Sequence, residues 1–334
     1  MNHRIFASVF ALTSVMLSTP VPAAQETNAP AGKSSESGNK KETNDKKESS
    51  DKLSVTTNTV TINGVDIAYK ATAGTIMVKN EEDKPQVSFF FIAYTRLDTT
   101  NHPGDRPVSF SFNGGPGSSS VWLHMGLLGP RRVSLQEDGG LPPPPFQLVN
   151  NNESLLDESD LVFIDPVSTG FTRAVPLEDA RKYHGVDQDL ASVGDFIRLY
   201  ATRYDRWLSP KFLIGESYGT TRAAGLSSYL ENRFGMYLNG IVLVSSVLDF
   251  STIDFNAGND LPYIFYLPSE TATAWYHKKL PSDLQADQQK ALAESEKFAL
   301  GPYSQALMQG GNLTGTARSA IVKEVARLTG LSED

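Results

Sequence analysis

The chain contains one G-x-S-x-G sequence, from Gly215 to Gly219, with Ser217 at its centre. An apolar run, residues 211–214, precedes it, and a helical pattern over residues 220–233 follows. In a strand–turn–helix of this kind the serine lies on a strained turn and its hydroxyl projects above the sheet. The backbone N–H of Tyr218, at the start of the helix, then points to where an oxyanion would form. The pattern predicts a nucleophilic Ser217, and a serine that merely caps a helix is the alternative.

A second loop could supply the other half of an oxyanion hole. Asn113 to Gly117 reads Asn-Gly-Gly-Pro-Gly and follows the apolar run Val108 to Phe112. Glycines let a backbone N–H approach a substrate closely, and hydrolases with a G-x-S-x-G turn build one oxyanion donor from such a loop. Neither loop carries the glycine–lysine pattern that cradles phosphate. An ordinary tight turn at residues 113–117 is the remaining alternative.

Three segments, in order, resemble the serine carboxypeptidase family, and most closely its bacterial-type members. They are Asn113 to Ser119, Phe163 to Thr172 (FIDPVSTGFT) and Gly215 to Gly219 (GESYG). The resemblance spans residues 108–248 and implies an α/β-hydrolase fold and a serine-type carboxypeptidase that acts through an acyl-enzyme.

The resemblance also implies a role for five residues. Ser217 would attack the scissile carbonyl, while Gly115 and Tyr218 would donate backbone N–H groups to the oxyanion. Asn113 and Glu216 would bind the terminal carboxylate of a peptide substrate. Two carboxylates in contact cannot both stay charged cheaply, so we expect better substrate binding in acid.

The chain departs from the family pattern at three positions near these loops. An acidic residue that helps to bind the carboxylate is replaced by Leu127, an aromatic residue by Ser111 and a cysteine by Ser118. Carboxylate recognition is therefore expected to be weaker or supplied differently.

A serine nucleophile needs a base that is held by an acid, and in this fold both follow the serine along the chain. His277 is the only histidine after Ser217, and Asp249 is the acid that would complete a local triad. His277, however, lies in a helical pattern and not in a loop that follows a strand. We therefore expect the triad Asp and His to lie outside this sequence, the last strands of the sheet to be missing beyond Ile241, and the chain to be inactive alone.

The elements around these motifs predict the fold class. An Asn-Gly turn joins two short strands near residues 57–69, and strands alternate with helices from Val108 onward. We predict a mixed, mostly parallel sheet covered by helices, with a core at 54–250. A helical cap is predicted at 251–334, after the strand at 241–247.

The amino-terminal residues predict export. Residues 1–23 have signal-peptide form, with an apolar stretch too short for a stable membrane anchor. The polar residues 24–53 predict a disordered tether. The expected location is periplasmic or extracellular.

Composition excludes several classes of partner. A net charge of −8 without a basic patch argues against nucleic acid, and scattered histidines with no cysteine argue against a metal centre. The sequence predicts no cofactor. It gives no prediction of the oligomeric state. Three alternatives stay open: an esterase or lipase-like enzyme, an acyltransferase, and a non-catalytic protein.

Overall fold

A computed structural model describes residues 53–97, 102–176 and 178–334. The predicted signal peptide and nearly all of the predicted tether therefore lie outside the described residues. Leu53, which the sequence assigned to the tether, is the first residue of a strand.

The described residues form ten strands, numbered in chain order. Their bounds are β1 Leu53–Ile62, β2 Val65–Lys79, β3 Pro85–Arg96, β4 Val108–Phe112, β5 Arg131–Val133, β6 Leu148–Asn150, β7 Asp160–Ile164, β8 Arg173–Ala174, β9 Lys211–Glu216 and β10 Gly240–Val244.

The main sheet has the order β1-β2-β3-β7-β4-β9-β10, with β8 paired to β3. Strands β1, β2 and β3 pair antiparallel, and β3 meets β7 antiparallel. Strands β7, β4, β9 and β10 pair parallel to one another. Strands β5 and β6 form a separate small ribbon. The mixed sheet covered by helices, with its parallel half around the motifs, is the α/β-hydrolase arrangement that the sequence predicts.

The turn between β1 and β2 follows from two residues. Asn63 and Gly64 have φ of 50° and 79°. Positive φ at both central positions is the conformation that a two-residue hairpin needs, and asparagine and glycine adopt it most readily. The predicted hairpin is confirmed, and its strands continue further than the sequence pattern suggests.

Eight α-helices occur in the described residues, several extended by short π or 3₁₀ segments. Their bounds are α1 Val121–Leu123, α2 Val186–Arg203, α3 Tyr218–Phe234, α4 Leu261–Tyr276, α5 Ser282–Gln285, α6 Gln288–Phe298, α7 Ser304–Gln309 and α8 Gly315–Thr329. A π segment, His124–Leu128, continues α1.

Both faces of the sheet are buried, because neighbouring side chains on a strand point to opposite faces. On β7, Val162 and Ile164 pack with residues of α2 and α3, whereas Leu161 and Phe163 pack on the other face with residues of β1 and with Leu123. All five residues of β7 are buried. A central strand covered on both sides reads as a continuous apolar run, as the sequence does here.

The helices after β10 have a small core of their own, which includes Leu267, Leu284 and Leu328. The helical character predicted for residues 251–334 is thus present, and the first long helix of this segment begins at Leu261. None of the helices in the described ranges is long and apolar enough to cross a bilayer.

Strand β10 lies at an edge of the sheet as described over residues 53–97, 102–176 and 178–334. It pairs with β9, and Ile241 and Val242 are exposed. The sequence predicts an exposed apolar edge at this strand, and the structure contains one.

Candidate active site

Ser217 lies in a strained turn between β9 and α3. Its φ and ψ are 56° and −124°, a backbone conformation that residues other than glycine rarely adopt. The Ser217 N–H donates to the carbonyl of Val244 at 2.9 Å, which fastens the turn to the end of β10. The residue is half-buried. A strained serine that keeps access to solvent is the arrangement expected of a nucleophile.

Two glycines make this turn sterically feasible. A Cβ on Gly215 would lie 2.0 Å from the carbonyl oxygen of Gly219, and a Cβ on Gly219 would lie 2.8 Å from that of Phe112. Both separations are shorter than real Cβ contacts. The glycine positions in G-x-S-x-G therefore follow from the close approach of β9, α3 and the end of β4.

The glycine-rich loop rests directly on the turn. A Cβ on Gly114 would lie 2.4 Å from the backbone nitrogen of Tyr218, so only hydrogen fits there. Gly115 has a φ of +106°, and the N–H of Ser118 donates to the Gly114 carbonyl at 3.0 Å. The structure thus brings together the two chain segments that the sequence assigned to an oxyanion hole. Gly114, whose role the sequence did not predict, lies too close to the Tyr218 nitrogen for any side chain.

Asn113 and Glu216 also lie together. The Asn113 amide donates from Nδ2 to Oε2 of Glu216 at 2.9 Å, and its Oδ1 accepts from the N–H of Leu123 at 3.0 Å. Asn113 is fully buried, whereas Glu216 is half-buried. Of the two residues predicted to meet a substrate carboxylate, Glu216 is therefore the accessible one, and Asn113 holds it in place.

Asp165, which follows β7, connects the loop beyond β4 to the loop beyond β7. Its carboxylate accepts from the N–H of Ser120 at 3.0 Å and from that of Phe171 at 3.3 Å. Burial raises the pKa of the Asp165 carboxyl, and the two N–H donors and Arg173 oppose that rise. The sequence contains Asp165 within a family segment but no signal of this bridging role.

None of the four histidines in the described ranges hydrogen-bonds to Ser217. His277 is exposed at the end of α4, and its ring contacts Tyr276. Asp249 caps a 3₁₀ turn and accepts hydrogen bonds from Ser251. Neither residue of the local triad considered from the sequence makes the contact that a triad requires.

His124 is a packing residue. Its Nε2 lies 2.7 Å from the Tyr94 hydroxyl, and its ring packs 4.5 Å from that of Phe163. Burial lowers the pKa of His124 to about 4, so the imidazole is neutral at pH 7.

His102 and His184 are occupied elsewhere. His102 lies 3.1 Å from Asp205 and accepts from the N–H of Gly104, and His184 lies 3.1 Å from the Ser168 hydroxyl. Across residues 53–97, 102–176 and 178–334, no group of three acidic, histidine or cysteine side chains is arranged to hold a metal ion.

The family model for serine carboxypeptidases matches residues 63–304. The chain belongs to the serine carboxypeptidase family. This match covers the turn at Ser217, the glycine-rich loop and part of the cap helices, and it confirms the family resemblance of residues 108–248. It places the chain in a family of hydrolases.

Two curated serine carboxypeptidase relatives are similar over part of their length. A serine carboxypeptidase-like protein of Arabidopsis thaliana is 26% identical over 53% of this chain and 36% of its own length. A pheromone-processing carboxypeptidase of Saccharomyces cerevisiae is 32% identical over 42% of this chain and 19% of its own. The chain thus covers about a third of the first relative and a fifth of the second.

Among solved structures, a peroxisomal α/β-hydrolase of Saccharomyces cerevisiae has 12% identity and a TM-score of 0.32 over 74% of this chain and 62% of its own. A cell-wall-degrading esterase of Xanthomonas oryzae has 12% identity and a TM-score of 0.34 over 73% and 64%.

Proposed function

We propose that this chain carries the nucleophile and the oxyanion hole of a serine-type carboxypeptidase, which releases the last residue of a peptide. The observation that supports it most is the contact between Gly114 and the nitrogen of Tyr218, beside the strained Ser217. That contact joins the nucleophile and two sources of main-chain N–H groups in one place. Such preorganised donors are the largest contribution to catalysis in many acyl-transfer enzymes.

In the proposed reaction, Ser217 Oγ forms a bond to the scissile carbonyl carbon. The carbonyl oxygen of the substrate becomes an oxyanion, which accepts hydrogen bonds from the N–H groups of Gly115 and Tyr218. The C–N bond then breaks, the amine leaves with a proton, and water hydrolyses the ester on Ser217. A general base must take the proton from the Ser217 hydroxyl, give it as an acid to the leaving amine, and then take a proton from the water that hydrolyses the ester.

We further propose that this base is not one of the described histidines, because each of them is engaged elsewhere or exposed without a link to Ser217. The described residues by themselves are then expected to bind peptides without rapid turnover. Robust hydrolysis that is abolished by His277→Ala would overturn this part of the proposal.

Recognition of the peptide end is assigned to Glu216, held by Asn113. A carboxylate that meets another carboxylate must share a proton with it, so binding should weaken as the pH rises. An ester pocket needs no such partner.

The test compares two ligands on Ser217→Ala protein, so that any turnover cannot confuse the result. An N-acylated dipeptide with a free carboxylate should bind about tenfold more tightly at pH 5 than its C-terminal amide, as expected for one hydrogen bond to a charged group. Calorimetry measures both. Glu216→Gln should tighten binding of the free-carboxylate dipeptide at pH 8, because a neutral side chain at position 216 does not repel the ligand carboxylate. Equal affinities at every pH would contradict the carboxypeptidase assignment and favour an esterase.

We also propose export to the periplasm or the cell exterior, on the strength of the signal-peptide pattern in residues 1–23. Amino-terminal sequencing of the protein from its native host should show cleavage after Ala23. An intact Met1 would contradict the proposal.

A further inference from the structure

Arg222 is the largest fully buried side chain in the described residues, with 2% of its surface exposed. It lies on α3, one turn beyond Tyr218. Its Nε donates to Asp189 Oδ2 at 2.7 Å, and its Nη2 donates to Asp189 Oδ1 at 3.2 Å. This two-point contact fixes the plane of the guanidinium and joins α3 to the first turn of α2.

The third contact of Arg222 reaches the glycine-rich loop. Its Nη1 donates to the main-chain carbonyl of Asn113 at 2.9 Å. Asn113 is the first residue of that loop, and its side chain is held by Leu123 and Glu216. With the carbonyl held as well, the peptide unit between Asn113 and Gly114 cannot rotate, and this unit packs against the nitrogen of Tyr218.

The Arg222 guanidinium also packs against two aromatic rings, those of Tyr218 after the turn at Ser217 and of Phe112 at the end of β4. Its carbon lies 5.2 Å from the ring centres of both Tyr218 and Phe112, within range of a cation–π interaction. Burial raises the pKa of Tyr218, the nearby Asp189 carboxylate adds to the rise, and Arg222 opposes it. The ring of Tyr218 is thus held by the same ion pair that holds the Asn113 carbonyl.

We propose that Arg222, oriented by Asp189, is a positioning residue that sets the distance between the glycine-rich loop and the nucleophile turn. This rests on the proposed function, because the two segments matter as the two halves of an oxyanion hole. Arg222 does not touch the substrate. It acts through Asn113 and Tyr218, and a lysine could not make its two contacts with Asp189 and its contact with Asn113 together.

A buried pair elsewhere serves as the matched control. Arg206 bonds to Asp160 and to the carbonyls of Arg106 and Pro107, which precede β4, at the opposite end of the sheet from Ser217. Arg206→Lys removes a comparable set of buried contacts without touching either loop. It separates loss of stability from loss of positioning.

Hydrogen–deuterium exchange of the full chain, without ligand, tests the proposal by mass spectrometry. Arg222→Lys and Asp189→Asn should raise exchange in residues 113–120 about tenfold, as a local opening would. Arg206→Lys should leave that segment unchanged. If Arg222→Lys does not fold, Asp189→Asn decides the outcome, since asparagine keeps an oxygen for the guanidinium. Unchanged exchange in folded variants, or an equal rise in Arg206→Lys, would overturn the inference.

Affinity for the free-carboxylate dipeptide, measured on a Ser217→Ala background, provides the second readout. This affinity should fall in Arg222→Lys and not in Arg206→Lys. Of the two arginines, only Arg222 bonds to Asn113, and Asn113 in turn holds Glu216. Should the parent protein bind no peptide, the proposed function fails, while the exchange experiment still tests the positioning role.

Discussion

The two ends of strand β4 are held by the same chemistry for different purposes. At its start, Arg206 pairs with Asp160 and binds the carbonyls of Arg106 and Pro107. At its end, Arg222 pairs with Asp189 and binds the carbonyl of Asn113. Both arginines are buried and both join separate chain segments.

The backbone distinguishes the two ends. The strained Ser217 follows β9 and Gly115, with its positive φ, follows β4, both at the end of the sheet where the parallel strands finish. Strained conformations persist only where their surroundings hold them. A buried ion pair at the start of the strands stabilises the sheet, whereas a pair of the same kind at their end keeps two strained loops in contact.

The largest expected effect is on stability and comes from the start of the strands. Asp160→Ala leaves Arg106 and Arg206 buried without their counter-charge, which should cost about 3–5 kcal/mol of unfolding free energy. Urea denaturation measures it. Glu137→Ala, at an exposed carboxylate, should change stability by less than about 0.5 kcal/mol. A small loss for Asp160→Ala would show that this end of the sheet is not fastened as described.

The next effect depends on pH and concerns His124, beside the glycine-rich loop. Its pKa is lowered from 6.5 to about 4 by burial. The unfolded chain therefore binds a proton at a pH where the folded protein does not, and stability is lost as the pH falls from 6.5 toward 4. Between pH 7 and pH 4 the loss should be about 3 kcal/mol greater in the parent than in His124→Gln. Stability curves of the parent and His124→Gln that run parallel between pH 7 and pH 4 would refute a lowered pKa for His124.

A smaller loss of stability with a large effect on the site is expected for Gly114→Ala. The new Cβ must push the loop away from the Tyr218 nitrogen, at about 1–3 kcal/mol. Dipeptide affinity in the Ser217→Ala background should fall with it. Gly126→Ala is the control, because nothing lies within 4 Å of its Cβ position. Undiminished affinity in Gly114→Ala would mean that the loop contact does not shape the site.

The smallest effect on stability is expected at the edge of the sheet. Val242 on β10 is 47% exposed. Val242→Lys should change stability by less than about 0.5 kcal/mol but reduce self-association, since charged residues protect exposed edges from pairing. Sedimentation velocity measures the association. Val55→Lys on β1, at the opposite edge, is the comparison, and an equal reduction there would show that β10 is not a special edge.

Much of the fold was predictable because its signals are local. The Asn63-Gly64 turn and the apolar run of β7 each depend on a few neighbouring residues. So does the strand–turn–helix around Ser217, where the spacing of two glycines reports a close approach. The roles given to Gly115, Tyr218, Asn113 and Glu216 are predictions that rest on family resemblance and on the proximity of these residues.

Other features could not be predicted from single segments. Arg222 reads as a polar residue on an ordinary helix, because the helical period does not say which arginine turns inward. Its partner, Asp189, is 33 residues away on another helix. Asp165 is similar, since one of its N–H donors, Ser120, is 45 residues away along the chain and only the sheet order brings the two together.

The sequence by itself determined the element types around the motifs and the family, and it predicted the nucleophile, because each is written in short-range spacing that steric limits impose on the backbone. Only the tertiary structure decided that Gly114 meets Tyr218, that Asn113 is buried behind Glu216, and that one arginine spans the gap between them. Those contacts depend on how β4 and β9 are placed side by side. Burial turns the arginine–aspartate charges from surface features into fixed supports, because a buried charge must keep its partner.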